Sequence, residues 1–241
     1  MDDITQARWE ALAQFQAGFL ANASHELRAP MTQIISLHQL ILEGLCEDPA
    51  EERQFLRQSF ETTQKVLANL DLLISISKLT IGRIQPKLQE VYLQDVFVQL
   101  QMLVQMIAEN RSCRLRFEAG EADRVKSDSD WLVEALRLLV EGAIAAQSEQ
   151  LHIHSRFVDQ QQHISVTTDS DPGLWAKDLE DLPIPAADTP AAGFVQNFSP
   201  GYCQQLAARI LQPLGGSLVV NPDNSPDNQQ TFLITLPAFQ P

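Results

Sequence analysis

The sequence predicts an α + α/β protein: an antiparallel helical hairpin that pairs into a dimeric four-helix bundle, followed by an α/β sandwich. Three observations carry this. Apolar residues recur at steps of three, four and seven from Leu20 to Leu45, the narrow stripe of a bundle helix. A second stripe of the same kind follows a turn signal at Asp48-Pro49. Beyond Gly82 and Pro86 the pattern becomes mixed, with strand-length runs set between shorter apolar helices.

The first helix is expected from about Thr5 to Leu45, with Leu20, Ala23, Leu27, Met31, Ile34, Ile41 and Leu45 on its stripe. His25 falls between Ala23 and Leu27 and should point to solvent. Pro30 lacks the N–H that would bond the Glu26 carbonyl, so a kink costing about 3 kcal/mol is expected there. Gly44 to Glu52 reads as the hairpin turn. The second helix runs to about Leu79 with Leu56, Phe60, Thr63, Leu67, Leu70, Ile74 and Ser77 on one face. Two helices cannot bury both stripes alone, which calls for a second hairpin from a symmetry mate. The expected domains are residues 1–82 and 83–241.

In the second domain a short strand is expected at Lys87-Leu88, a helix from Val91 to Ile107 and a strand at Leu115–Phe117. A strongly apolar helix follows from Asp130 to Ala146. His152–Phe157 and His163–Thr168 read as strands joined by a turn at Asp159–Gln161. Residues 169–200, rich in Pro, Asp and Ala, read as a lid or long loop. A helix from Gly201 to Leu214 and strands at Ser217–Val220 and Thr231–Leu236 close the domain.

Composition limits the function. Seventeen basic residues against thirty-one acidic give a formal charge of −14, which argues against binding a nucleic-acid backbone. No apolar run reaches the roughly 20 residues that span a bilayer. The start, Met1-Asp2-Asp3, does not read as a signal peptide. Three cysteines, Cys46, Cys113 and Cys203, are widely spaced, and fit a reduced interior better than a disulfide framework. The expected location is cytoplasmic, with no membrane contact. With little chain before the first helix, the input signal is expected from a partner such as an upstream kinase or sensor.

The run Phe19-Leu20-Ala21-Asn22-Ala23-Ser24-His25-Glu26-Leu27-Arg28-Ala29-Pro30 resembles the H box of two-component sensor histidine kinases. The resemblance implies that His25 is phosphorylated and passes its phosphoryl group to an aspartate on the receiver domain of a response regulator. It implies a homodimer through the hairpin, and it gives Glu26 the task of holding the second ring N–H and stabilising the charge that develops on attack. Ala29 stands where members that also dephosphorylate their partner carry Thr or Asn, which argues against a phosphatase role.

The second domain resembles the family's Bergerat-type ATP-binding domain in Lys87–Val96, in Asp128-Ser129-Asp130-Trp131-Leu132, and in the closing runs Gly215–Val220 and Thr231–Pro237. That implies ATP and magnesium as cofactors, but the chemical positions depart from the pattern. Gly142 takes the place of a magnesium-binding asparagine, Leu138 that of another asparagine, and Ala145 that of a phosphate-contacting lysine. Magnesium needs oxygen ligands, and Glu141 lies about 100° round the helix from Gly142. In the first glycine box, Asp169 takes the adenine-reading place and Gly173 is kept, while Asp171 replaces a glycine. In the second, Gly201 is kept and Cys203 stands where close backbone approach to phosphate is needed. Phe194-Val195-Gln196-Asn197-Phe198 resembles the lid motif. His152 and His154 share one side of a strand, and a solvated strand face explains them better than a metal site.

These residues imply a phosphotransferase that takes its phosphoryl group from another protein. An ATP-dependent autokinase with divergent boxes is the alternative, and a non-catalytic scaffold for a response regulator or kinase is a third.

Overall fold

The computed structural model describes residues 3–176, 198–221 and 229–239, with the backbone alone at 3–18, 20, 176 and 221. Contacts divide the chain between Leu73 and Ile74 into two compact units.

The first unit holds helix α1 (Asp3–Leu42) and most of helix α2 (Pro49–Thr80). The helix runs on through Pro30. Gly44 closes it with φ +68°, and the Leu45 N–H reaches back 3.0 Å to the Leu40 carbonyl. This turn needs a residue without a Cβ penalty at positive φ. Asp48 then starts α2: its Oδ1 accepts the N–H groups of Ala50 at 2.7 Å and Glu51 at 2.8 Å. Pro49 sits at the first helical position and Glu51 and Glu52 in the first turn, all favourable at a helix N-terminus.

Burial on α1 follows a heptad: Ala23, Pro30 and Leu37 are buried, and Leu27, Ile34 and Ile41 half-buried. The proline therefore occupies a seam position. On the part of α2 in this unit the buried set is Ser59, Thr62, Val66, Asn69 and Leu73, at steps of three and four. Ser59 Oγ lies 2.8 Å from His38 Nε2 of α1, so this polar-flecked face is the one turned to α1. The more apolar stripe named from sequence stays open within one chain: Leu56 is 47% exposed, Phe60 62%, Leu67 57% and Ile74 49%, with Met31 at 46% and Leu45 at 60% on the other side of the hairpin.

The second unit is the sandwich. Its five-stranded sheet has the order β2-β4-β5-β7-β6 and is antiparallel except for the β2–β4 pair. The strands are β2 (Arg114–Glu118), β4 (Gln150–Val158), β5 (Gln161–Thr168), β6 (Ser217–Asn221) and β7 (Gln230–Pro237). One face, with Leu151, Ile153, Ile164, Val166, Phe232, Ile234 and Leu236, is buried. Helices α3 (Leu93–Asn110), α4 (Ser129–Ala145) and α6 (Pro200–Leu211) complete the core, with α4 packed against both others. Strand β1 (Gln89–Tyr92) pairs with β3 (Arg124–Ser127) in a small separate sheet. The sequence reading put the first strand two residues early and missed β3, because Arg-Val-Lys-Ser carries one apolar residue, Val125, and is specified by its partner Val91. Helix α6 ends at Leu211 and continues as a 3₁₀ turn over Gln212–Leu214, since Pro213 has no N–H to extend the ladder. Inside the expected lid, residues Gly173–Ala176 form a short helix, α5. Residues 177–197, including Phe194 to Asn197 of the lid motif, lie outside the described residues.

Candidate functional site

Two regions hold the residues singled out from sequence. The first is the middle of α1. His25 and Glu26 are both half-buried, while Arg28 and Ala29 are exposed. Ala23 and Leu27 on the seam flank His25, which sits off the fully buried positions but is half-buried, less open to solvent than the spacing predicts. Nothing in the heptad requires an imidazole there.

The second region lies in the sandwich, where α4, the β5–α5 turn and the start of α6 meet. Asp128 caps α4, accepting the Trp131 N–H at 3.3 Å, and its other oxygen accepts the Lys87 N–H at 2.7 Å. The resemblance to the family's helix start therefore has a structural reason as well. Along α4, Glu141 is paired with the guanidinium of Arg137, which also holds Glu134 at 2.5 Å. Burial disfavours the charge on Arg137, but the two carboxylates more than offset this and raise its pKa. Glu141 is thus engaged in an ion pair on its own helix.

Gly142 is buried, and a Cβ placed on it would lie 2.9 Å from Cη2 of Trp175 and 3.0 Å from both Cζ3 of Trp175 and Cβ of Cys203. Any side chain at 142 would collide with the indole. Trp175, on α5, is 5% exposed. Its Nε1–H donates to Ser170 Oγ at 2.8 Å, and its ring lies 4.5 Å from that of Phe232.

Asp169 is turned to the chain itself. Its Oδ1 accepts from the Ser148 hydroxyl at 2.6 Å and from the N–H groups of Glu149 at 3.0 Å and Gln150 at 3.1 Å. Partial loss of hydration works against its charge, but the Ser148 hydroxyl and the Gln150 and Glu149 N–H groups outweigh this and hold the carboxyl below its ordinary range. A depressed pKa adds stability above the unfolded value, and that contribution fades as pH falls through the folded value. The stability lost in Asp169→Ala should therefore be largest near neutrality and shrink as pH falls below the usual carboxylate range, as read from urea midpoints. A difference that is flat with pH would contradict the assignment. Burial, reinforced by the Asp169 charge, pushes the nearby Cys113 thiol up to about 11, so it is not a nucleophile at neutral pH.

Asp171 folds the turn by accepting the Gly173 N–H at 2.8 Å. Gly201 is buried in the first turn of α6, whose cap is Ser199 accepting the Tyr202 N–H at 3.4 Å. Phe198 packs edge-on to Tyr202 at 5.3 Å, which makes this phenylalanine part of the packing at the start of α6. The structure thus brings Gly142, Cys203 and the Asp169–Gly173 turn together, with Trp175 at their centre. Sequence reasoning missed Trp175. Its signal was Gly142 itself: a glycine in the interior of an apolar helix is a costly choice that something large nearby can explain.

His152 and His154 do share one side of β4, with ring centroids 5.1 Å apart. His152 Nε2 approaches Glu118 at 3.3 Å. Among the described residues no group of three or more His, Cys, Asp or Glu could hold a metal ion. None of the described helices is long and apolar enough to cross a membrane.

Comparison with known proteins bears on both regions. The model of the His Kinase A (phospho-acceptor) domain matches residues 15–82. The alginate biosynthesis sensor protein KinB of Pseudomonas aeruginosa is 26% identical over 245 residues, covering 98% of this chain and 39% of KinB. The chain spans well under two thirds of the length of the curated relatives it matches. Among solved structures, the histidine kinase AdeS of Acinetobacter baumannii superposes with TM-score 0.63 at 16% identity, over 90% of this chain and 98% of that one. The histidine kinase ThkA, in complex with the response regulator protein TrrA, gives 0.60 at 18% identity, over 97% and 64%.

Proposed function

We propose that the chain, whose residues 15–82 match the His Kinase A (phospho-acceptor) domain, is a member of the two-component histidine kinase family and acts as a phosphotransferase. His25 accepts a phosphoryl group from a phosphorylated protein and passes it to an aspartate of a response-regulator receiver domain. On uptake, an unprotonated ring nitrogen of His25 forms a P–N bond as the donor's bond to phosphorus breaks. On delivery the P–N bond breaks and the aspartate carboxylate takes the phosphoryl group, leaving neutral imidazole. Glu26, the next residue on α1, holds the second ring N–H and offsets the positive charge on the ring. Arg28, exposed one turn along, is placed to attract an acidic partner surface or the incoming phosphate.

The observation that carries the choice of a protein donor is the packing at Gly142. The position that would supply a magnesium ligand has no side chain and no space for one, Glu141 is paired with Arg137, and Asp169 Oδ1 is taken up by Ser148 and two backbone N–H groups. These residues do not fit a magnesium–ATP complex. The test is labelling. A phosphorylated receiver domain as donor should label the wild-type protein and leave His25→Ala unlabelled, whereas label that persists in His25→Ala would sink the reading.

The hairpin works as a homodimer in this proposal, which the open apolar stripe supports. Leu67→Asp places a charge in the seam between hairpins while leaving the face turned to α1 untouched. It should turn a dimer at micromolar concentration into a monomer in sedimentation. An unchanged dimer would move the interface elsewhere.

A further inference from the structure

We infer that Trp175 is a permanent occupant of the cleft bounded by α4, α6 and β7, standing where a ligand would stand, so that the C-terminal unit is complete without nucleotide. The inference deepens the phosphotransferase reading and rests on it. Loss of the box residues alone would leave an empty or weakened cleft; the structure goes further and fills it.

Three neighbours fix the indole, and Cys203 closes the same space. Its six-membered ring lies so near the bare backbone of Gly142 that even a methyl group there would come within 2.9 Å. Its one polar atom, Nε1–H, is satisfied by Ser170 Oγ at 2.8 Å, which removes the penalty for burying it. The ring of Phe232, from the middle of β7, lies 4.5 Å away at a tilt of 58°. On α6, Cys203 presents its Cβ to the same point above Gly142.

The polar groups on the far side are closed in the same way. Ser170 Oγ lies 3.1 Å from the Thr168 hydroxyl, which lies 2.7 Å from that of Ser148, which donates to Asp169 at 2.6 Å. This chain of hydroxyls joins the tryptophan to the carboxylate that the family resemblance assigns to base reading. Both walls of the cleft are thereby committed to Trp175: the apolar wall through Gly142 and Phe232, the polar wall through Ser170. A side chain held by packing on two sides and a hydrogen bond on a third belongs to the core, not to a mobile gate.

The test uses the full chain. Trp9→Phe and Trp131→Phe leave Trp175 as the sole tryptophan. Its emission should be blue-shifted, poorly quenched by acrylamide, and unchanged by magnesium–ATP up to millimolar concentration. In the same chain Trp175→Gly should leave an indole-sized cavity. Indole added at millimolar concentration should then raise the thermal midpoint of that variant by several degrees and leave the wild type unmoved. Trp175→Leu, which fills most of the space, serves if the glycine variant does not fold; it should restore most of the midpoint without responding to indole.

A change in Trp175 emission with magnesium–ATP, or a wild-type midpoint raised by it, would overturn the inference. Such a result would leave His25 transfer from a phosphorylated receiver untouched. Failure of the relay reading would show instead as absent transfer with Trp175 emission unmoved.

Discussion

Replacing His25 by Gln lowers phosphoryl uptake from a phosphorylated donor by at least about a hundredfold, while helicity and dimerisation stay at wild-type values. Glutamine is a good helix former and polar, so the half-buried position tolerates it. What it lacks is a nitrogen lone pair free to attack phosphorus. Ala23, Leu27, Pro30 and Leu37 fix the seam of α1, and His25 adds nothing to that seam, so chemistry and folding separate at this residue. Glu26→Gln is the companion experiment. It keeps a hydrogen-bond acceptor but removes the charge, and should slow uptake by roughly ten- to a hundredfold without abolishing it. Both variants are checked by rapid quench with a labelled donor. Uptake that survives in His25→Gln would assign the acceptor to another residue.

Gly142→Asn, which restores the family's residue, does not restore nucleotide chemistry and destabilises the protein by about 1–3 kcal/mol. The reason is steric: the first atom of the new side chain meets Trp175 at 2.9 Å and Cys203 Cβ at 3.0 Å, and neither can retreat through the packed core around α4 and α6. The tryptophan is the nearest of these neighbours, so the same substitution in a Trp175→Ala background should cost less. A double-mutant cycle measured by urea unfolding should return a coupling of at least about 1 kcal/mol between positions 142 and 175. Additive costs would mean that the two positions do not share the space.

The fold was legible where period and turn chemistry are local. The stripe from Ala23 to Leu45, the Asp48-Pro49 start of α2 and the apolar run of α4 each specify their element without help. The internal face of the hairpin was not legible. Ser59, Thr62 and Asn69 lie buried on the side turned to α1, while Leu56, Phe60 and Leu67 stand exposed one residue further round. Hydrophobicity picks out the stripe that stays open within one chain, which the proposal gives to a second hairpin because it must exclude more water. Strand β3 escaped notice for the same kind of reason: Arg124–Ser127 is paired by its partner and not by its own pattern.

At the sites, the run around His25 was readable as a motif because its residues are contiguous on one helix. The state of the second domain was only half readable. Sequence comparison marks Gly142 and Ala145 as departures from a pattern, but it does not say what fills the space they vacate. Trp175 lies thirty-three positions away in the chain and meets Gly142 only through the packing of α5 on α6 beside α4. Asp169 carries the same lesson. Its identity agrees with the pattern, but its Oδ1 is bonded to Ser148 and the start of β4, which no spacing rule reveals.

The most direct test of the central claim is to offer the wild-type protein two phosphoryl sources in parallel, each beside His25→Ala: labelled ATP with magnesium, and a labelled phosphorylated receiver domain. The account predicts acid-labile label on the wild type from the receiver alone. Label from ATP and magnesium alone, present in the wild type and absent from His25→Ala, would contradict it and make the protein an autokinase.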